Sequence, residues 1–584
     1  MHVTRSVSRR RPNLLAGVVA SLLLTSGLLA APAPAVTPCT SPPATFPTSQ
    51  MTPGMTGTGY TVIKGQTVQS FDVQILGVIP DYFFLGVDAI VVEMTGPQAF
   101  LNTTGGIVAG MSGSPVYFNG KLGGAVSYGI AGDRHIFGLT AAEDMVGIFS
   151  LQDGGTSAIP VEVALTDGVR RAIARATDMP LASTATSMQA LPVPLAISGT
   201  GGRSLKEIKA VFADHDIAVR PFRSGSTSAP TTATLDPSPL LPGEGLGVAL
   251  SYGDVTWGGI GTVTATCGSS VLGFGHPMFY VAAGPVSLGM NEVNVLGIDN
   301  GTFWGYKIAT LGEAHGALTQ DRFAGVLGVL GVMPDTVGVT SDVSSPDTEL
   351  SRVGRTDITC DEGWAVAEIA FAHAYANLTH VAQADGPGTL AFAWTIEGTR
   401  GDGSTFTVSN RTMEFSDWSA AYGAWRMSDM LYALVYNSFE KVGFTSVDMS
   451  GEITADDLRS EIARIRLSSP VQPALRERGT VKAAPGDKVT VEVTFDPVGR
   501  TSNEVFTFAL KVPRGTRGDQ KVRLAGGRGR IDYWDVGSFD EMIAAMNDGD
   551  HQNDLIVSGL GPTAVYPQDV IVQGKSGFSV QVVR

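Results

Sequence analysis

Short β-branched runs that stop at glycine, proline or aspartate recur along most of this chain, and they constrain its fold more than any other feature. Between Tyr60 and Met94 they read "YTVIKG", "FDVQILGVI" and "VDAIVVEM"; from Leu246 they resume as "LGVALSYGDVTWGGIGTVTATCGSSVLGFGHPMFY". Runs this short do not complete an amphipathic helix, and their alternation and punctuation predict strands. The 72 glycines and 32 prolines are what cut them. Strands at roughly ten-residue spacing point to barrels or sandwiches. A chain of 584 residues is too long for one core, so three or more domains are expected.

Helices are predicted at fewer places. "DGVRRAIARA" and "SLKEIKAVFADH" have helical spacing, the second with a capping box of Ser204 and Glu207. "TAAEDMVGIF" reads as a short helix, with Glu143 and Asp144 as solvated charges near its start. "DWSAAYGAWRMSDMLYALVYNSFEKVG" is helical, and Ser538 and Glu541 cap "FDEMIAAMN". "GWAVAEIAFAHAYANLTHV" and "GTLAFAWTIEG" alternate like strands. Near the end Val489, Val491, Val493 and Phe495 alternate strictly, answered by "VFTFALKVP".

The start of the chain reads as an address. Arg5, Arg9, Arg10 and Arg11 precede an apolar run from Leu14 to Ala31, followed by Ala33-Pro34-Ala35. This is the pattern of a secretory signal cut after Ala35, with an uncleaved anchor as the competing reading. No later segment is long and apolar enough to span a membrane, so no stable span is expected once the signal is removed. The net charge of −15 argues against nucleic acid and anionic membrane surfaces as partners. Export permits a disulfide among Cys39, Cys267 and Cys360. Cys267 and Cys360 stand in folded-looking segments and are the expected pair. HExxH, paired CxxC and phosphate-loop patterns are missing, and "GTGG" at 199–202 is too short to count, so neither metal nor cofactor is expected.

One stretch carries chemistry. Gly110-Met111-Ser112-Gly113-Ser114-Pro115 comes directly after an apolar run, and its glycines allow backbone angles that turn N–H groups toward one point. A serine hydroxyl needs a base to take its proton and donors to hold the oxyanion. Ser112 is the candidate nucleophile, with the N–H groups of Gly110 and Ser112 as oxyanion donors, and Ser114 is the rival. An ordinary Gly/Ser turn between strands is the bland reading. No histidine lies between His2 and His135 to act as the base.

The wider stretch "TTGGIVAGMSGSPVYFNGKLGGAVSYGI" resembles the nucleophile region of the SpoIVB peptidases, the S55 family of serine peptidases, as does "VQSFDVQILGV" upstream. "GGIGTVTATCGSSVLGFGHPMFY" resembles the segment in which those peptidases carry their histidine, and "WGYKIATLGEAHGALTQDRFAGVLG" resembles the stretch downstream of that histidine. The resemblance covers roughly residues 57 to 150 and 245 to 332. It implies that His276, 164 residues downstream of Ser112, is the base. In the sporulation peptidase the histidine segment comes first, so here the order is reversed, as if two barrel halves were permuted. The implied fold is mainly β: a chymotrypsin-like double β-barrel with permuted halves, then an α+β segment and a C-terminal β-sandwich-like domain.

The expected divisions are a signal peptide at 1–35, a linker at 36–56, a serine-bearing barrel half at 57–160, a helical insert and linker at 161–245, a histidine-bearing half at 246–345, an α+β accessory domain at 346–475 and a β-rich accessory domain at 476–584. Where the family pattern places an aspartate, this chain reads Met94-Thr95-Gly96-Pro97. Asp88 and Glu93 are the nearest acids upstream, and Asp88 is taken as the candidate third member. A Ser–His dyad, another carboxylate, or a weak or inactive site remain open. His135 competes with His276; His215, His315, His373, His380 and His551 lie in helical, loop or late-domain contexts without a serine turn.

The resemblance implies an exported endopeptidase, secreted or attached to the cell envelope of a bacterium. It implies limited or regulatory cleavage of proteins or peptides, with self-cleavage among its activities. The alternative is a barrel without catalysis that serves as a binding or scaffold protein for a cell-envelope partner. An esterase is a further rival, but the turn is GxSGxP and not GxSxG.

Overall fold

Asn119 and Gly120 both take left-handed backbone angles, φ 50° and 75°, which suits a two-residue turn between twisted antiparallel strands. That turn joins two of the six strands around the serine segment: β1 (Thr56–Val62), β2 (Val68–Ile79), β3 (Ala89–Gly96), β4 (Pro115–Phe118), β5 (Lys121–Ile130) and β6 (Asp133–Ala141). The order is β4-β1-β2-β3-β6-β5, each neighbour antiparallel, and β4 also pairs with β5. Phe71, Val73 and Ile75 of β2, Ile90 and Val92 of β3, and Phe137 and Leu139 of β6 share one buried cluster. The alternate residues Leu76, Ile79, Val91 and Ile136 are buried too, against Val169 and Ile173 of the helix Asp167–Ala176. Burial on both faces explains why β2 and β3 read as near-continuous apolar runs.

The computed structural model describes residues 36–81, 87–130, 133–155, 162–279, 286–301, 304–498 and 503–583. The segment expected to be a signal peptide lies outside the described residues.

Six further strands form a closed antiparallel barrel: β7 (Gly245–Gly253), β8 (Trp257–Cys267), β9 (Ser270–Gly273), β10 (Leu288–Asp299), β11 (Tyr306–Arg322) and β12 (Gly325–Leu330). The ring runs β8-β9-β12-β11-β10-β7 and closes from β7 back to β8. Beyond β7 the sheet continues through Leu350–Ile358, Val337–Ser345, Val442–Thr454, Gly388–Arg400 and Thr405–Ser416. The chain is therefore mainly β, as expected. Two five-stranded sheets come after these. In one of them Val489, Val491 and Val493 of the strand Lys488–Pro497 face Leu510, Phe508 and Phe506, the alternation seen in the sequence.

Two expectations are corrected. Residues Gly363–Ala382 form an α-helix, not a strand. Its Ala-x-Ala rhythm imitates period two, but alanine favours helix, and the helix is apolar nearly all round because Trp364 to Ala374 are buried without a break. It packs against the sheet and against the helix Ser419–Val435. Cys267 pairs with Cys39 and not with Cys360, which is free and buried. The reason is local. Thr37 and Ser269 exchange hydrogen bonds, Thr37 N–H to Ser269 Oγ and Ser269 N–H to the Thr37 carbonyl, both at 2.8 Å. This docks the leading segment on the β8–β9 turn and brings the Cα atoms of Cys39 and Cys267 to 4.8 Å. The same segment reaches β5, where Phe46 N–H donates to the Leu122 carbonyl at 2.7 Å and Leu122 N–H to that of Ala44 at 3.1 Å.

Candidate active site

The segment 107–114 enters β4 through a turn whose backbone is held from three sides. Ala109 N–H donates to the Gly305 carbonyl at 2.8 Å and the Ala109 carbonyl accepts from Lys307 N–H at 3.0 Å, tying it to the start of β11. Within the turn, Met111 N–H donates to Val108 and Ser114 N–H to Met111, while Gly113 N–H donates to Val126 of β5. On the third side, Thr262 N–H donates to the Ser112 carbonyl at 2.8 Å, Thr262 Oγ1 to that of Gly110 at 2.9 Å, and Thr264 Oγ1 to that of Gly113 at 2.7 Å. Gly113 sits at φ +93°, and a Cβ there would stand 2.0 Å from the Thr262 carbonyl oxygen. Among the described residues, the N–H groups of Met111, Gly113 and Ser114 are all engaged, whereas those of Gly110 and Ser112 donate to no backbone carbonyl. Two unspent donors therefore stand at the serine itself and two residues before it.

His276 comes after a second constrained bend, in the β9–β10 connection. Phe274 and Gly275 are both left-handed, at φ 65° and 69°. Such an angle is strained for a residue as bulky as phenylalanine and persists only where packing fixes it. The Phe274 ring is fully buried against Gly261. Gly275 has no alternative, because a Cβ would lie 2.2 Å from Ser127 Oγ. Thr140 Oγ1 of β6 donates to the Gly275 carbonyl at 2.6 Å. Beyond the histidine, the Asp321 carboxylate of β11 accepts the N–H groups of Met278 and Phe279, both at 3.0 Å.

These constraints bring Ser112 and His276 together. The carbonyl of Pro277 lies 2.7 Å from Nδ1 of His276 and can only accept, so Nδ1 carries the hydrogen. Nε2 then presents its lone pair to the Ser112 hydroxyl at 2.8 Å. Burial, the dominant cause, pushes the imidazole pKa down to about 4, so the ring is neutral at neutral pH. Ser112 is 2% and His276 1% exposed. The pair can transfer the serine proton to the ring, and the unspent N–H groups can receive an oxygen that gains charge.

Asp88 does not orient this histidine. Its carboxylate accepts Thr48 Oγ1–H at 2.9 Å and Asp81 N–H at 3.0 Å, because Asp88 turns toward the leading segment just before β3. Its own N–H donates to Asp144 at 3.0 Å. Asp144 is half-buried rather than solvated, and burial raises its pKa to about 6. Ser114 is buried with its hydroxyl toward Thr262 Oγ1 at 3.4 Å. His135 is exposed beside Asp133, His215 stacks on Trp364, His315 bonds the Ser238 carbonyl and His551 pairs with Asp554.

A second serine–histidine contact shows by contrast how the first is equipped. His373 Nε2 lies 3.0 Å from Ser341 Oγ, and its Nδ1 2.9 Å from Thr356 Oγ1. Ser341 stands mid-strand, paired on both sides. It has no turn and no unspent donors, so this contact satisfies a core histidine and does no more.

Sequence reasoning did not single out Thr140, Thr262, Lys307 or Asp321. Only Lys307 leaves a signal: with Ala309 and Leu311 it occupies the inward positions of "YKIATLG", where strict alternation calls for an apolar residue.

Residues 45–145 match the family described as SpoIVB peptidase S55, and this match points to a serine peptidase. The matched segment holds β1 to β6 and the Ser112 turn and ends before His276. No curated protein and no solved structure matches the chain.

Proposed function

We propose that this protein is an exported serine endopeptidase that works with a Ser112–His276 dyad. Ser112 Oγ attacks a peptide carbonyl while His276 Nε2 takes its proton and returns it to the leaving amine. The N–H groups of Gly110 and Ser112 hold the oxyanion. The observation that carries this reading is the 2.8 Å contact between Ser112 Oγ and His276 Nε2, across a separation of 164 residues, with the ring tautomer already set by Pro277. The family match at 45–145 supports peptidase chemistry on protein substrates. The β4–β5 pairing, which makes a second ring of antiparallel neighbours beside the closed barrel, favours a chymotrypsin-like double barrel with its halves in permuted order. Catalysis constrains the geometry of the groups and not their order in the chain.

Export is favoured by the charged and apolar start of the sequence and by the Cys39–Cys267 bridge, which belongs in an oxidising compartment. No helix among the described residues is long and apolar enough to cross a membrane. The near-complete burial of Ser112 and His276 suits limited cleavage of segments that can enter the site. That burial and the carbonyl in place of a carboxylate also support a second reading, a scaffold without catalysis. Incubation of the secreted protein with a defined peptide mixture, read by mass spectrometry, separates the two. New termini that vanish with Ser112→Ala support the peptidase; an unchanged mixture supports the scaffold.

A further inference from the structure

The start of β11 places an unusual group beneath the serine turn. Lys307 is fully buried, yet its Nζ meets only hydroxyls, Thr61 Oγ1 at 3.0 Å and Thr262 Oγ1 at 3.1 Å. No carboxylate stands within ion-pair distance of it among the described residues. A lysine in such a place is costly unless it does something an apolar residue cannot.

Apart from the bond to Thr61, its contacts converge on Gly110. The Lys307 N–H holds the Ala109 carbonyl at 3.0 Å. In a planar trans peptide the carbonyl and the next N–H point in opposite directions, so this bond directs the Gly110 N–H away from β11. The other peptide of Gly110 is fixed through the side chain: Lys307 Nζ donates to Thr262 Oγ1, which donates to the Gly110 carbonyl at 2.9 Å. Between the two, the lysine stem fills the space beside Gly110, where an added Cβ would stand 3.0, 3.1 and 3.2 Å from its Cδ, Cγ and Cβ.

We infer that Lys307 is a positioning residue for the nucleophile turn: its backbone N–H sets the Ala109–Gly110 peptide so that the Gly110 N–H is offered to the oxyanion, and its charged amine, acting through Thr262, locks the following peptide by the Gly110 carbonyl and so holds Gly110 in that orientation. This inference rests on the peptidase reading for its catalytic meaning but not for its structural one. A charged donor makes the stronger hydrogen bonds, so the lock is tightest when the amine is protonated. Burial alone brings the amine pKa down to about 7. The groups that face the amine are Thr61 from β1, Thr262 from β8 and Gly110 from the turn, none of which titrates in this range; the nearest titrating partner of the turn is His276, through Ser112.

The test compares the full-length protein with Lys307→Met and Thr61→Val by two readouts. The first is hydrogen exchange of the segment 107–116, detected by mass spectrometry. The second is the pH dependence of inactivation by diisopropyl fluorophosphate. The lock predicts faster exchange of this segment in Lys307→Met and inactivation slowed by up to roughly 10²-fold, the scale of one oxyanion donor. In the wild type, inactivation falls as the amine loses its proton above pH ~7. Lys307→Met lacks that limb. Thr61→Val, which keeps the amine but removes one acceptor, shifts the limb to lower pH, and this readout serves even if Lys307→Met does not fold. Unchanged exchange together with an unshifted limb overturns the inference. A wild type that resists the reagent while Lys307→Met exchanges faster overturns the peptidase reading and leaves the positioning role standing.

Discussion

The Nδ1 hydrogen of His276 goes to the carbonyl of Pro277, its neighbour in the chain, at 2.7 Å. A carbonyl fixes the tautomer as a carboxylate would, but it carries no full charge to stabilise the imidazolium. The ring therefore stays neutral far into acid, with its pKa lowered by burial to about 4. In the proposed dyad the neutral ring is the base, so phosphonylation of Ser112 should rise from acid with a midpoint near 4, well below the ordinary histidine value of about 6.5. Rates of fluorophosphonate reaction between pH 3 and 6 measure this; a midpoint at or above the ordinary value contradicts it.

The same shift predicts a stability trend. Protonation of His276 favours the unfolded chain, in which it titrates near ~6.5. The stabilising contribution of the neutral ring is complete above that value and is lost as pH falls toward about 4. Urea unfolding at pH 7 and pH 5 should show the loss, and His276→Gln should reduce it. Equal pH sensitivity in both proteins sinks the assignment.

Thr140 and Asp321 hold the histidine bend from opposite ends. Thr140→Val leaves the buried Gly275 carbonyl without its donor, and a loss of about 1–3 kcal/mol is expected. Asp321→Asn keeps the shape but loses one of the two hydrogen bonds to Met278 and Phe279, because its amide nitrogen cannot accept, and weakens the other. Both variants should lower kcat more than they raise KM, because they displace the base and not the substrate. A change confined to KM argues against this role.

Removal of the bridge by Cys39→Ser should cost about 2–5 kcal/mol, since it closes a long loop in the unfolded chain. Thr37 keeps its bonds to Ser269, so the leading segment should remain docked in the folded state. Urea unfolding checks the stability loss, and protease sensitivity near residue 40 checks the docking.

Legibility in the sequence tracks the range of the forces involved. The strand around Val489 was legible because period-two burial leaves its mark on each strand alone, and the strand around Phe71 because its short apolar run is cut by glycine and proline. The Ser112 turn was legible because it requires glycine at fixed positions, whereas His276 was singled out only through the resemblance of its segment to that of the S55 peptidases. The helix Gly363–Ala382 was misread because burial on every side erases the helical period. Cys39, Asp88 and Lys307 were misassigned or passed over because their partners, Cys267, Thr48 and Thr262, are set by how separate segments dock.

The most direct test of the Ser112–His276 assignment is to treat the protein with a fluorophosphonate and locate the adduct by peptide mass spectrometry. One adduct is expected, on Ser112, lost in Ser112→Ala. In His276→Ala it is slowed by several orders of magnitude, and in peptide cleavage the double variant is little worse than either single one because the two act as a unit. An adduct on Ser114 or Ser341, or labelling of Ser112 that survives in His276→Ala, contradicts it.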